Sequence, residues 1–284
     1  METKEFALVL FTVLSQASVG AFILLSWLRL RNRSEAMDAV YRRSIAVLLP
    51  IMAVALVASL FHLGRPMLAF TSLRRLATSW LSREIFFSGA FFALLAATVL
   101  LEKSAPGRKA LSALTALAGA VAVFSMGAVY TATVIPAWQG WGTYAAFVGT
   151  TVLAGAGLAA GLVAFFGRSV EEAAGDLQQL VGAAIAALIL GLVAYPLYLA
   201  SLGNGGAEAQ ASLQLLGGPF AGWLALRWAL TLAGGAVPLL IAWRRLSAGQ
   251  KTSGLVYAAL VCMVAGELVG RYLFYATGVP MSIG

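Results

Sequence analysis

Charged residues are scarce in this 284-residue chain. Asp, Glu, Lys and Arg make up 11% of it, against about 25% in an ordinary soluble domain. Apolar residues reach 61%, and mean hydropathy is +0.90. A soluble fold of this size cannot hide that much apolar surface, so a water-soluble enzyme is excluded. Cysteine and histidine are nearly absent. A single cysteine, Cys262, excludes an intrachain disulfide and a cysteine-ligated iron–sulfur cluster. A single histidine, His62, excludes a bis-histidine haem and leaves the usual three-ligand zinc site out of reach. No haem and no metal are expected in this chain, and little redox or hydrolytic chemistry can rest on its own side chains.

What fills the sequence is long apolar runs. A membrane-spanning helix needs about 20 residues, and eight such segments are read: 6–28, 44–62, 84–101, 110–134, 142–166, 179–200, 220–242 and 254–277. Runs of this length predict helices, because barrel strands are about 10 residues long and alternate. The expected fold is all-α, a polytopic membrane protein forming a single anchor domain over 1–284, with a weak division into two four-helix bundles near 138–142. Prolines 50, 196 and 238 fall inside spans, which membrane helices tolerate. The 30 glycines, with runs such as GAGLAAG at 155–161, suit close helix packing. No cleavable leader is read at METKEF.

The formal net charge of +8 does not indicate nucleic acid, because the basic residues sit in short clusters between spans. Arg29, Arg31, Arg33, Arg42, Arg43, Lys103, Arg108, Lys109, Arg168, Arg244, Arg245 and Lys251 all fall in alternate loops, on one side of the bilayer. The other side carries Lys4, Arg65, Arg74, Arg75 and Arg83. The positive-inside rule assigns the first group to the cytoplasm. Both termini are then expected on the outer side, in the periplasm if the membrane is a Gram-negative inner membrane. The segment 63–83 is the basic exception outside. Met67, Phe70, Leu73, Ala77 and Trp80 recur at helical spacing there, which predicts an interfacial helix. Its plain reading is a lipid anchor. The favoured one is functional: a docking surface for an acidic partner, carried by Arg74, Arg75 and Arg83, or a lid over a site.

Ionisable groups inside spans are costly and are functional candidates by default. His62 ends the second span and Glu84 begins the third. Gln16 lies near the middle of the first, and Tyr130 near the end of the fourth. Glu267 and Arg271, four residues apart, share a helix face and can pair, with Arg227 as a third member. The antiparallel order of the spans predicts that all of these lie at the centre or toward the outer side, in one polar pocket. A histidine and a carboxylate at a membrane interface, without metal ligands, suit the proton exchange of a quinone site.

Several segments resemble a known family. FHLGRPMLAF at 61–70 followed by SWLSREI at 79–85 is similar to the anchor subunits of dimethyl sulfoxide reductases, relatives of the membrane subunits of polysulfide and nitrite reductases. FTVLSQASVGAFIL at 11–24, YTATVIPAW at 130–138 and GELVGRYLFY at 266–275 resemble further parts of it. The resemblance implies a subunit of a bacterial inner membrane that holds a molybdopterin catalytic subunit and a four-cluster iron–sulfur subunit. It implies binding of menaquinone or ubiquinone in anaerobic respiration, with His62 and Glu84 matching the family's quinol-site residues and Gln16, Arg65 and Tyr130 as weaker matches. FHLGRP and SWLSRE are also similar to anchors of sulfite-oxidising complexes. The competing class is a proton-coupled transporter or channel built on Glu267, Arg271 and Arg227.

Overall fold

The computed structural model describes residues 3–31, 34–62, 73–101, 107–250 and 252–281. Among them there is no strand, and eight helices are long and apolar enough to cross a membrane. The spanning helices are α1 (Thr3–Arg31), α2 (Glu35–His62), α3 (Trp80–Leu101), α4 (Arg108–Thr131), α5 (Trp141–Phe166) and α6 (Ala173–Gly203). After a short helix α7 (Ala207–Gly217), the chain crosses twice more as α8 (Ala221–Ser247) and α9 (Ser253–Ala276). All eight expected spans are present, and most run a few residues past the apolar run that marks them. Helix α5, with 26 residues, is about 39 Å long at 1.5 Å per residue, which exceeds the roughly 30 Å hydrocarbon layer. The extra turns carry polar ends that hydropathy alone assigns to loops. Arg42 and Arg43 are such residues, lying inside α2.

Two features differ from the sequence reading. The expected loop 201–219 contains α7, whose buried Ala209, Ser212 and Leu216 pack on the Pro136–Trp138 turn and on the start of α8. Its 11 residues are too few to span, so hydropathy gives no sign of it. Helix α8 is also not uniform, because Ala229–Ala236 winds as a π-helix. Pro238 stands two residues past its end. It can donate no backbone hydrogen bond, and its ring crowds the carbonyl four residues back. The wider turns before it absorb that conflict. Gly234 and Gly235 in the same stretch press against Cys262 and Met263 of α9, where an added Cβ would come within 2.6 and 2.8 Å of those side chains.

Helices α1 and α5 form the centre. Helix α1 packs on α2, α4, α5 and α9, and α5 packs on α4, α6 and α9. The α1–α5 crossing is backbone on backbone. A Cβ on Gly20 would lie 1.9 Å from the Thr151 carbonyl oxygen, and one on Gly155 would lie 2.6 Å from Gly20 Cα. Only residues without a side chain allow this approach, and between membrane helices close van der Waals contact of this kind is a main source of association. This central pair joins the first four spans to the last four. The outer helices present Val54, Val57, Phe61, Leu190, Val193 and Leu197 at their exposed surface. That is normal for a surface solvated by lipid tails.

Segment 63–83 is partly visible. Residues 63–72, with Arg65 and the Met67–Phe70 half of the expected stripe, lie outside the described residues. From Leu73 the chain makes one 3-10 turn, Leu73–Arg75, then a turn at 76–78, and enters α3 at Trp80. The described half is thus not a continuous interfacial helix. Arg83 explains why. Its Nε donates to Leu76 O at 2.9 Å and its Nη2 to Ala77 O at 2.6 Å, while its guanidinium lies 4.2 Å from the Trp80 ring centre. That side chain folds the turn back onto α3, and Arg74 and Arg75 stay exposed.

Candidate functional site

Gln16, Glu84, Tyr130, Glu267 and Arg271 lie toward one end of the bundle, the end that holds the start of α3 and the ends of α4 and α9. Gln16 is fully buried. Its Oε1 accepts from Arg271 Nη2 at 2.9 Å, and its Nε2 points to Met126 Sδ at 3.9 Å. Arg271 Nη2 also reaches Thr150 Oγ1 at 3.3 Å, and the Thr150 hydroxyl donates to Glu267 Oε2. The guanidinium carbon sits 3.7 Å from the centre of the Phe147 ring. Arg271 is 3% exposed and Glu267 is 8% exposed.

The expected direct pairing of Glu267 with Arg271 is corrected by this geometry. Spacing of four residues puts both on one face of α9, but Thr150 of α5 stands between them. The order is Gln16, Arg271, Thr150, Glu267, three helices joined in one chain of hydrogen bonds. Arg227 is not a third member of an ion pair either. It lies across Gly270, where a Cβ would meet its Nε at 2.6 Å, with its guanidinium 4.8 Å from the Tyr195 ring centre and 5.4 Å from that of Trp228. No carboxylate among the described residues lies within ion-pair distance of it. Gln16, read from sequence with His62 and Glu84, belongs instead with Arg271.

A second line of hydroxyls runs beside the first. Tyr130 donates to the Tyr275 hydroxyl at 3.1 Å, and Tyr275 donates to Thr12 Oγ1 at 3.4 Å. Tyr130 is packed among Trp138, Phe147, Phe274 and Tyr275, with ring centres 5.3–5.5 Å away. Trp138 is fixed by donating from Nε1 to Phe274 O at 2.8 Å. Tyr130 is thus an interior residue rather than a belt aromatic. Tyr275, Thr12 and Thr150 were not visible as site residues in the sequence, because isolated Thr and Tyr in apolar runs are common and only packing shows which of them meet.

Glu84 stands at the edge of this group. It is 5% exposed, on the buried face of α3 that also presents Ser82, Ser88 and Phe91. Its carboxylate lies within electrostatic range of the Tyr130 and Tyr275 hydroxyls. Among the described residues it has no hydrogen-bond or ion-pair partner. One turn deeper, the Ser88 hydroxyl is buried without a partner, as is Ser125 on α4. Buried polar groups are normally paired, so an unpaired acceptor with an unpaired hydroxyl beside it fits a ligand that offers both a donor and an acceptor. His62 ends α2, and its side chain lies outside the described residues, as does Arg65.

The opposite end holds a separate polar group that sequence reading missed. Arg29 and Arg42 both reach Asp38, the first at 2.6 Å, and the Tyr41 hydroxyl donates to Asp176 at the start of α6. These contacts tie α1, α2 and α6 together. No cluster of His, Cys, Asp and Glu that could hold a metal occurs among the described residues.

Fold and site together define a polytopic α-helical membrane protein whose buried polar groups converge at one end of the bundle. Comparison with known proteins narrows this. The family described as the DMSO reductase anchor subunit (DmsC) matches residues 1–277, and the chain belongs to that family. It is 32% identical to the YnfH subunit of an anaerobic dimethyl sulfoxide reductase of Escherichia coli K12, over 99% of this chain and 96% of that one. It is 31% identical to the C subunit of an anaerobic dimethyl sulfoxide reductase of the same organism, with the same coverage. The C subunit of the Haemophilus influenzae anaerobic dimethyl sulfoxide reductase is 33% identical over 53% of this chain and 56% of its own length. The expected family and the multi-pass helical architecture are both confirmed.

Proposed function

We propose that this chain is the quinone-reactive membrane anchor of a molybdopterin oxidoreductase complex of the bacterial inner membrane, and that it exchanges electrons between the quinone pool and an iron–sulfur subunit. The observation that carries the reading is the unpaired, buried Glu84 carboxylate at the bundle end where α2 terminates in His62. The names of the relatives support the dimethyl sulfoxide branch over a sulfite-oxidising one. The partners are a four-cluster iron–sulfur subunit and a molybdopterin catalytic subunit. They dock at the same bundle end, against the turn that carries exposed Arg74 and Arg75, where basic charge favours an acidic partner surface. With basic loops inside, that end and both termini face the periplasm.

A menaquinol or ubiquinol bound here supplies two electrons and two protons. Glu84 accepts a proton, and its place near the start of α3 leaves a short path to water. His62, at the same level of the bundle, receives or returns the second. The Tyr130–Tyr275–Thr12 hydroxyls hold their own geometry and offer a polar wall beside the carboxylate. Ser88 supplies a hydroxyl at the depth of one helical turn. Gln16 orients Arg271 behind that wall, which keeps the interior rigid while the ligand exchanges with lipid.

The test is quinol oxidation and quinone-analogue binding by membranes containing the complex, with His62→Ala and Glu84→Ala. Turnover is expected to fall at least tenfold in each, an effect of about 1.4 kcal/mol or more, with assembly of the complex unchanged. Normal turnover in both variants would remove this site assignment.

A further inference from the structure

A cavity lies beside Arg271 and Glu267, and neither Glu84 nor Tyr130 lines it. It measures about 120 Å³ and is bounded by α5, α6, α8 and α9. Its lining runs from Trp141 to Leu153 on α5, a depth of about 18 Å at 1.5 Å per residue. Helix α6 packs on the last part of α8, Val237–Ser247, but diverges from the first part. Between them Tyr195 spans the gap to Trp228, with ring centres 5.3 Å apart. The cleft therefore opens sideways, next to the apolar outer surface of α6 (Leu190, Val193 and Leu197).

The floor of this cavity is chemically unfinished. Arg271 spends only Nη2 on Gln16 and Thr150, and its Nε and Nη1 are buried without a partner. Thr231 in the π-helical stretch is 5% exposed, lines the same cavity, and has an unpaired hydroxyl. Glu267 also faces the cavity and keeps Oε1 free of any hydrogen bond from a described residue. Arg271 and Glu267 thus both line one space in the low-dielectric interior, where an unpaired donor costs about 1–3 kcal/mol and more when charged. A π-helical segment often marks a functional position in a helix.

We infer that this lateral cavity is a second ligand site, and that it takes the oxygen-bearing edge of a membrane-dissolved quinone or quinol. A carbonyl oxygen accepts from Arg271 Nε and Nη1, and a quinol hydroxyl donates to Glu267. At about 120 Å³ the space is smaller than the roughly 150 Å³ apolar cavity that accommodates a benzene ring, so only the oxygen-bearing edge of the ring enters it, with the rest of the ring and its tail lying in the α6–α8 cleft. A phosphate group suits it less well, because Glu267 opposes an anion and Arg271 lies roughly 8 Å inside the end of α9. This site stands without the Glu84 site, since Glu84 does not line it.

The test uses native membranes containing the assembled complex and an azido-benzoquinone with a short isoprenoid tail, with labelled peptides identified by mass spectrometry. Wild type is expected to label within 187–198 or 223–231, and excess unlabelled quinone should suppress that label at least tenfold. Glu84→Ala should keep it. Gly149 and Gly191 line the cavity, and a Cβ at either meets nothing within 4 Å, so Gly149→Leu and Gly191→Leu fill the space without a clash at the backbone. Each should reduce the cavity label at least tenfold while label within 62–91 persists. Label confined to 62–91 overturns the second site and leaves the Glu84 site intact. Cavity label that survives both leucine variants also overturns it, as does displacement by added phosphatidylglycerol, which would make the cavity a phospholipid site. Label in neither place removes both sites.

Discussion

Replacing Arg271 by methionine tests whether the buried hydrogen-bond chain acts as one unit. The side chain makes a charged hydrogen bond to Gln16 at 2.9 Å, and hydrogen bonds to charged groups contribute about 1.5–3 kcal/mol. Its guanidinium lies 3.7 Å from the Phe147 ring centre, and a desolvated cation–π contact of that kind contributes about 2 kcal/mol. Methionine keeps much of the volume, so the loss is chiefly polar. Removal also leaves the Glu267 carboxylate buried without a nearby cation. The expected cost is about 3–5 kcal/mol, in the range for breaking a buried charge pair from one side. Glu267→Gln alone removes the opposite charge and leaves Arg271 with Gln16 and Thr150. If Thr150 transmits the interaction, the double variant should be less destabilised than the sum of the single variants by about 1–2 kcal/mol. The assay is equilibrium unfolding of the purified chain in mixed micelles, followed by tryptophan fluorescence. Additivity within about 0.5 kcal/mol would refute the coupling and make the two residues independent.

Two further outcomes follow from packing and from the turn before α3. Gly20→Ala places a methyl 1.9 Å from the Thr151 carbonyl oxygen, which forces the two central helices apart. It should destabilise the fold by about 3 kcal/mol, the upper part of the overpacking range, whereas Gly89→Ala, with nothing within 4 Å of the new Cβ, should leave the micelle unfolding midpoint unchanged. Arg83→Ala removes the hydrogen bonds to Leu76 O and Ala77 O. Cleavage at Arg74 or Arg75 by added trypsin should speed up several-fold, and an unchanged rate would show that the turn is held by other contacts.

Much of the architecture was legible because hydrocarbon imposes a simple rule. A buried backbone in lipid must satisfy its own hydrogen bonds, so each long apolar run can only be a helix, and the eight runs give eight crossings in order. The antiparallel order then places Glu84, Tyr130 and Glu267 toward one end without any knowledge of packing. The quoted motifs at 61–70 and 79–85 were enough to point to the family. Lys and Arg placement gave an orientation rule, which acts through loops rather than contacts.

Other features needed the tertiary structure, because they depend on which faces meet. Spacing put Glu267 and Arg271 on one face, but only the position of α5 inserts Thr150 between them. Gln16 could have faced His62 as easily as Arg271, and the Gly20–Gly155 crossing decides the rotation of α1 that turns it toward α9. The π-helical stretch before Pro238 and the lateral cavity beside it have no periodic signature. Hydropathy measures how apolar a segment is, not which neighbour it touches. The sequence by itself therefore determined that the chain spans the membrane eight times and gathers its polar residues toward one end. The tertiary structure alone decided that those residues divide into a buried chain through Arg271, a free carboxylate at Glu84 and an open cleft beside α9, since hydrogen bonds and cavities arise between helices and not within them.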